Sequence, residues 1–135
     1  MTGKARQLSR GFTLVELLVV MAIIGILAAS VIPQLTAAPK RAKEAVLKED
    51  LFTLRSCIDQ YYAAKQHYPA SLEALKQEKY IRKVPVDPFT KSADTWVLEY
   101  EEPDPEQPSD EPPGIVDVHS GSADTGLDGT PYNTW

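Results

Sequence analysis

Arg10–Ile32 reads RGFTLVELLVVMAIIGILAASVI, and the rest of the chain is best understood outward from it. A basic residue comes first, then a Gly11–Phe12 junction, then a long apolar run. From Leu17 to Ile32 there are 16 residues without charge; counted from Phe12 there are 21, with Glu16 the single charge. At about 1.5 Å per residue as helix, such a run can cross a hydrocarbon core of about 30 Å. Lys4, Arg6 and Arg10 precede it without an acid, the arrangement that keeps an N-terminus cytoplasmic. Glu16 breaks the pattern. An ionised carboxylate costs roughly 2.5–3.5 kcal/mol at a bilayer centre, and a helix that only anchors has no use for it. The residue therefore points to a partner for its charge that is created by processing or assembly.

The junction resembles the class III signal of prepilins and type II secretion pseudopilins. The matching residues are Arg10, Gly11, Phe12, Thr13, Leu14, Val15 and Glu16, followed by Leu17, Leu18, Val19 and Val20. The resemblance implies that a prepilin peptidase cuts between Gly11 and Phe12 and methylates the new N-terminal Phe12. Glu16 then becomes the fifth residue of the mature chain. The resemblance also implies that Glu16 pairs with the N-terminal amine of a neighbouring subunit during filament assembly. The physics agrees: an ammonium and a carboxylate compensate each other in low dielectric, whereas either alone does not. Ala28-Ala29-Ser30 offers a competing small-x-small site for signal peptidase. A cut there would release a soluble periplasmic binding module starting near Val31, and would leave both Glu16 and the Gly-Phe junction unexplained.

The 135 residues allow one small domain beside this segment. Loss of residues 1–11 removes three basic side chains, leaving 124 residues and moving the net charge from −5 to −8. An acidic chain does not offer the broad basic face that nucleic acid requires. The single cysteine, Cys57, excludes an internal disulfide and is expected as a small buried residue of a helix.

One long helix is expected from Phe12, interrupted in pattern at Pro33 and Pro39. Beyond Pro39, Leu47, Leu51, Leu54, Ile58 and Tyr61 recur at spacings of three and four, a one-sided apolar stripe, with Lys43, Glu44, Lys48, Asp50 and Arg55 mostly off it. His67-Tyr68-Pro69 ends that helix, and Ser71–Gln77 reads as a short second one with Leu72 and Leu75 inward. Tyr80-Ile81 and Val84–Phe89 read as a proline-pinned connector. WVLEY, Trp96–Tyr100, alternates as a strand with Trp96, Leu98 and Tyr100 on a buried face, and Gly114–His119 is the second strand. Between them, Glu101–Pro113 holds six acids and five prolines in 13 residues, which cannot bury a core. It is an exposed loop: either a solvated connection or a filament-surface feature that meets a partner or a cation. The blocks YPASLEAL and YIRKVPVDPF are similar to the major pseudopilin of type II secretion. The expected fold is α+β and pilin-like, a long N-terminal helix packed on a small antiparallel sheet domain. Its expected parts are a cleaved leader (1–11), a membrane or filament-core helix (12–39) and a periplasmic globular domain (40–135).

His119–Thr130 is rich in Gly, Ser and Asp. Major pseudopilins carry a calcium site in their C-terminal loop, so the resemblance implies Asp124 and Asp128 as carboxylate ligands, with oxygens near Ser120 and Ser122 completing the shell. The sequence departs from that pattern, because adjacent acids before Asn133-Thr134-Trp135 are missing. Asp128-Gly129-Thr130-Pro131 reads equally as a metal-free turn in which aspartate caps its own backbone. Trp135 is expected as a core plug with its indole nitrogen bonded outward.

No nucleophile–base constellation, P-loop or histidine metal spacing occurs, and His67 and His119 read as surface or capping residues. The expected role is that of a structural subunit and not an enzyme. It is a single-pass inner-membrane protein with a periplasmic domain, polymerised into a helical type II secretion pseudopilus. The resemblance implies as partners other copies of the chain, prepilin peptidase, the inner-membrane assembly platform and minor pseudopilins. A type IV pilin shares the N-terminus, but a cysteine pair to staple a C-terminal loop is absent. A minor pseudopilin capping the tip often lacks the glutamate present here as Glu16.

Overall fold

A computed structural model of the protein describes residues 11–106 and 110–135, apart from the side chains at positions 33, 34 and 36. The leader residues 1–10 and the centre of the acidic loop, 107–109, lie outside the described residues. The elements run α1 (Leu14–Lys65), α2 (Leu72–Gln77), β1 (Val97–Tyr100), β2 (Ile115–His119) and a short 3-10 turn (Tyr132–Thr134). This is the α+β, pilin-like arrangement of a long N-terminal helix and a small antiparallel sheet. The chain divides into two compact units between Ala38 and Pro39.

In the first unit, α1 begins at Leu14, two residues later than the apolar pattern alone predicts. The reason is a cap: the Thr13 hydroxyl accepts the Glu16 backbone N–H at 3.1 Å, and its carbonyl accepts Leu17 N–H at 3.2 Å. The helical backbone continues through Pro33 and Pro39, so neither proline ends it, although each lacks a donor. The apolar side chains of this unit are exposed, from Phe12 and Leu14 to Val31 and Ile32.

The second unit is organised by the apolar stripe. Leu47, Leu51, Leu54, Ile58 and Tyr61 are all buried, and Cys57 beside them is buried too. Burial raises the Cys57 thiol pKa, and its Sγ donates to the Tyr80 carbonyl, as an inert core thiol does. The helix stops at Lys65 because Gln66 turns into the left-handed region, φ 63°, earlier than His67. Ser71 caps α2 by accepting Ala74 N–H, and Leu72 and Leu75 close under the stripe.

β1 and β2 form a two-stranded antiparallel sheet with Val97 opposite His119, Leu98 opposite Val118, Glu99 opposite Asp117, and Tyr100 opposite Ile115. Val116 is therefore an extra residue, a bulge. Val118 and Ile115 are fully buried, and Leu98 packs against the same core. Two details of WVLEY differ from the alternation. Trp96 is buried but precedes the strand, held by an indole N–H to the Pro85 carbonyl at 2.9 Å. Tyr100 is exposed, because the strand ends there and the bulge turns the ladder at that step.

Candidate functional site

The N-terminal segment places its residues in a simple way. Gly11, Phe12 and Thr13 are non-helical and exposed, with Phe12 at 89% of full exposure. A Cβ at Gly11 would meet no atom within 4 Å. Among the described residues, nothing crowds that position. Glu16 lies in the first turn of α1. Its carboxylate makes no hydrogen bond or ion pair with the described residues. A carboxylate in a helix's first turn is favoured by the macrodipole by about 0.3–1 kcal/mol, which is less than its cost in an apolar medium. Local structure therefore explains only part of its presence.

The C-terminal loop is clasped by α1. Lys40 Nζ donates to the Thr125 carbonyl at 2.7 Å. Glu44, buried, accepts Leu127 N–H and the Tyr132 hydroxyl through Oε1, each at 2.8 Å. Lys48 stands over the Trp135 ring, 4.7 Å from its centre. These three residues fall at intervals of four along one helix edge. Tyr132 is fully buried and stacks on Phe89 at 3.9 Å. Burial, then the hydrogen bond and charge of Glu44, push its phenol above the ordinary range.

Within the loop, Ser120 is fully buried and donates to Asp87 Oδ2 at 2.5 Å while accepting Ser122 N–H. The Ser122 hydroxyl accepts Asp124 N–H at 3.2 Å. Asp128 Oδ1 accepts both the backbone N–H and the hydroxyl of Thr130, at 2.9 and 2.7 Å. Those bonds, with the charge of Lys48, hold the Asp128 carboxyl below the usual carboxylate range.

The prokaryotic N-terminal methylation motif matches residues 6–32, the end of the basic leader and the apolar segment after it. The chain is 37% identical over 100 residues to the type II secretion system core protein G of Pseudomonas aeruginosa, covering 62% of this chain and 70% of the relative. With the core protein G of Klebsiella michiganensis it is 32% identical over 141 residues, covering 93% and 90%. With that of Pectobacterium carotovorum it is 30% identical over 144 residues, covering 95% and 84%. The chain belongs to the type II secretion system core protein G family. No solved structure matches it.

The side-chain oxygens expected from the resemblance to hold calcium, at Ser120, Ser122, Asp124 and Asp128, are partly engaged within the loop. Calcium takes about 6–8 oxygen ligands. The Ser120 and Ser122 hydroxyls are engaged with Asp87 and with loop backbone, and Thr125 O holds an ammonium. Among the loop's side chains, the Asp124 carboxylate and one oxygen of Asp128 accept none of these bonds. The side chains thus supply few of the oxygens that a calcium shell takes, and Asp128 forms the turn that the sequence offers as the alternative.

Several residues that organise this loop carry no local signal of that role in the sequence. Glu44 stands three residues before Leu47, in phase with the apolar stripe, and that phase is the signal that it is buried. Asp87, in the proline-pinned connector, is fully buried; its Oδ1 accepts Phe89 and Thr90 N–H, and its Oδ2 accepts Ser120. Arg55 donates to Asp117 Oδ1 at 2.6 Å and to the Val118 and Trp135 carbonyls. Trp135 is half-buried at the core's rim with its indole N–H on Thr130 Oγ1, while Tyr132 fills the position expected for it.

Proposed function

We propose that this chain is the structural subunit of a type II secretion pseudopilus. It enters the inner membrane through α1, which contains a span long and apolar enough to cross it. Prepilin peptidase cuts between Gly11 and Phe12 and methylates Phe12. The mature chain polymerises into a helical filament, on the inner-membrane platform and with minor pseudopilins, that drives protein export across the outer membrane. The role is structural and not catalytic.

The observation that carries this reading is the Gly11–Phe12 bond, exposed in non-helical backbone immediately before a capped helix whose apolar side chains from Leu14 to Ile32 are exposed. Cleavage there puts a new ammonium beside the positive end of the helix dipole, an unfavourable placement. A carboxylate supplied by a neighbouring copy's Glu16 relieves it, and both charges then leave water as a pair. Repeating one such head-to-tail contact generates an open helix instead of a closed ring. The core protein G relatives and the methylation motif support the same reading.

The test is intact mass and N-terminal sequencing of the protein from its native membrane. We expect a start at Phe12 with one added methyl group. A start near Val31 would overturn the reading in favour of a secreted soluble domain.

A further inference from the structure

We propose that Glu99, Asp117 and His119 bind one divalent transition-metal ion of the zinc class. The three lie on the outward face of the sheet. Glu99 and Asp117 are direct cross-strand partners, and His119 follows Asp117 by two residues, which returns it to the same face. Their candidate ligand atoms lie within 4.8 Å of one another.

The tautomer of His119 is fixed from behind. Its Nδ1 lies 2.6 Å from the Trp135 carbonyl oxygen, which can only accept, so Nδ1 carries the hydrogen. Nε2 of the neutral ring is then a lone pair. It faces Glu99 Oε2 at 3.4 Å and Asp117 Oδ2 at 3.7 Å, both acceptors. Asp117 is anchored in the same manner. Its Oδ1 takes Arg55 Nε and Val118 N–H, which leaves Oδ2 turned to the imidazole. With the ring neutral in that tautomer, three acceptors converge, while Glu99 and Asp117 stand opposite across the strands and Arg55, on Asp117 Oδ1, offsets one of their two charges.

The spacing of the imidazole from each carboxylate accommodates such an ion. Ligands about 2.0–2.1 Å from zinc at tetrahedral angles stand roughly 3.3–3.4 Å from each other. The Nε2–Oε2 distance already has that value, and the Nε2–Oδ2 distance needs a contraction of a few tenths of an ångström. An imidazole ligand favours zinc over calcium or magnesium. The Nδ1–carbonyl and carboxylate–Arg55 bonds are the outer-shell supports that orient such ligands. Glu99 is the loose arm, with a side chain 62% exposed, so water completes the coordination and binding is reversible. An ion here would tie β1 to β2 and, through His119, to Trp135. It would also lie where the strands lead into the acidic loop.

The experiment is calorimetric titration of Zn2+ into the full metal-stripped chain in detergent at pH 7.5, with Co2+ absorption as a second probe. We expect one ion per chain, a raised melting temperature, and at least about tenfold weaker binding in Glu99→Ala. Glu99 is exposed and makes no core contact, so this variant keeps the fold; His119→Gln, checked for folding by near-UV circular dichroism, should abolish the Co2+ bands. Absence of binding by the wild-type chain at millimolar Zn2+ overturns the proposal. So does binding that Glu99→Ala leaves unchanged, or an imidazole 15N spectrum in which Nε2 of His119 stays protonated and indifferent to Zn2+.

Discussion

At the scale of single residues, buried charge governs the second unit. Glu44 is a carboxylate in the core's edge whose function is to hold two donors, Leu127 N–H and the Tyr132 hydroxyl. Glu44→Ala leaves a buried hydroxyl and an N–H without their acceptor, a loss of about 2–3 kcal/mol. The measurement is urea unfolding of the chain in detergent, followed by tryptophan fluorescence, since Trp96 and Trp135 both report on this region. Asp50 works in the other direction. Burial first, then the charges of Asp87 and Glu49, raise its pKa, so folding favours its protonated form. Its ionisation therefore costs stability as pH rises through the raised value, and nothing is lost below the unfolded value. Asp50→Asn should raise the melting temperature at pH 7, and the gain should vanish near pH 3.5. An equal gain at both pH values would contradict the assignment. Neither residue was legible as such. Glu44 shares the phase of the stripe, which could have revealed its burial, but its acceptor role depends on a loop more than eighty residues away.

At the scale of elements, the apolar stripe was readable because helical periodicity is local, and every one of its five members is buried. The short α2 was readable for a similar reason, with a capping serine and two inward leucines. The sheet was less so. Alternation placed Tyr100 inside, but a bulge at Val116 is a property of pairing, and pairing partners are not written in either strand alone. Gly114 is where β2 is delivered to the rest: a Cβ there would crowd Tyr68, with its backbone C and O at 2.8 Å. The adjoining Ile115 N–H bonds to the Pro69 carbonyl at 2.8 Å, so that backbone cannot retreat freely. Gly114→Ala should cost about 1–3 kcal/mol, measurable as a lower melting temperature with unchanged helical content. The clasp from Lys40 and Glu44 carries a further expectation for the C-terminal loop. Calcium at a hundred times the Kd of a genuine site would add about 2.7 kcal/mol. Millimolar calcium should produce no such shift in melting temperature here, because protein ammonium and carboxylate groups already hold the loop.

At the scale of the whole molecule, the first unit is a helix with exposed apolar side chains, and the second unit is closed around its own core. Glu16→Ala should therefore leave folding of the second unit and membrane insertion intact while impairing filament growth. Wild-type yields of sheared filament from the variant would contradict the pairing proposed for Glu16. The sequence by itself determined the features that depend on near neighbours: the Gly11–Phe12 junction, the length of the apolar run, the helical stripe, the short helix and the strands as segments. Those are set by composition and by periods of two to four residues. Tertiary structure alone decided which polar groups meet. Lys40 and Glu44 reach a loop at the far end of the chain, Asp87 joins Ser120, and Glu99 comes beside Asp117 and His119. Such contacts depend on where the backbone returns after dozens of residues, and no local period encodes that return.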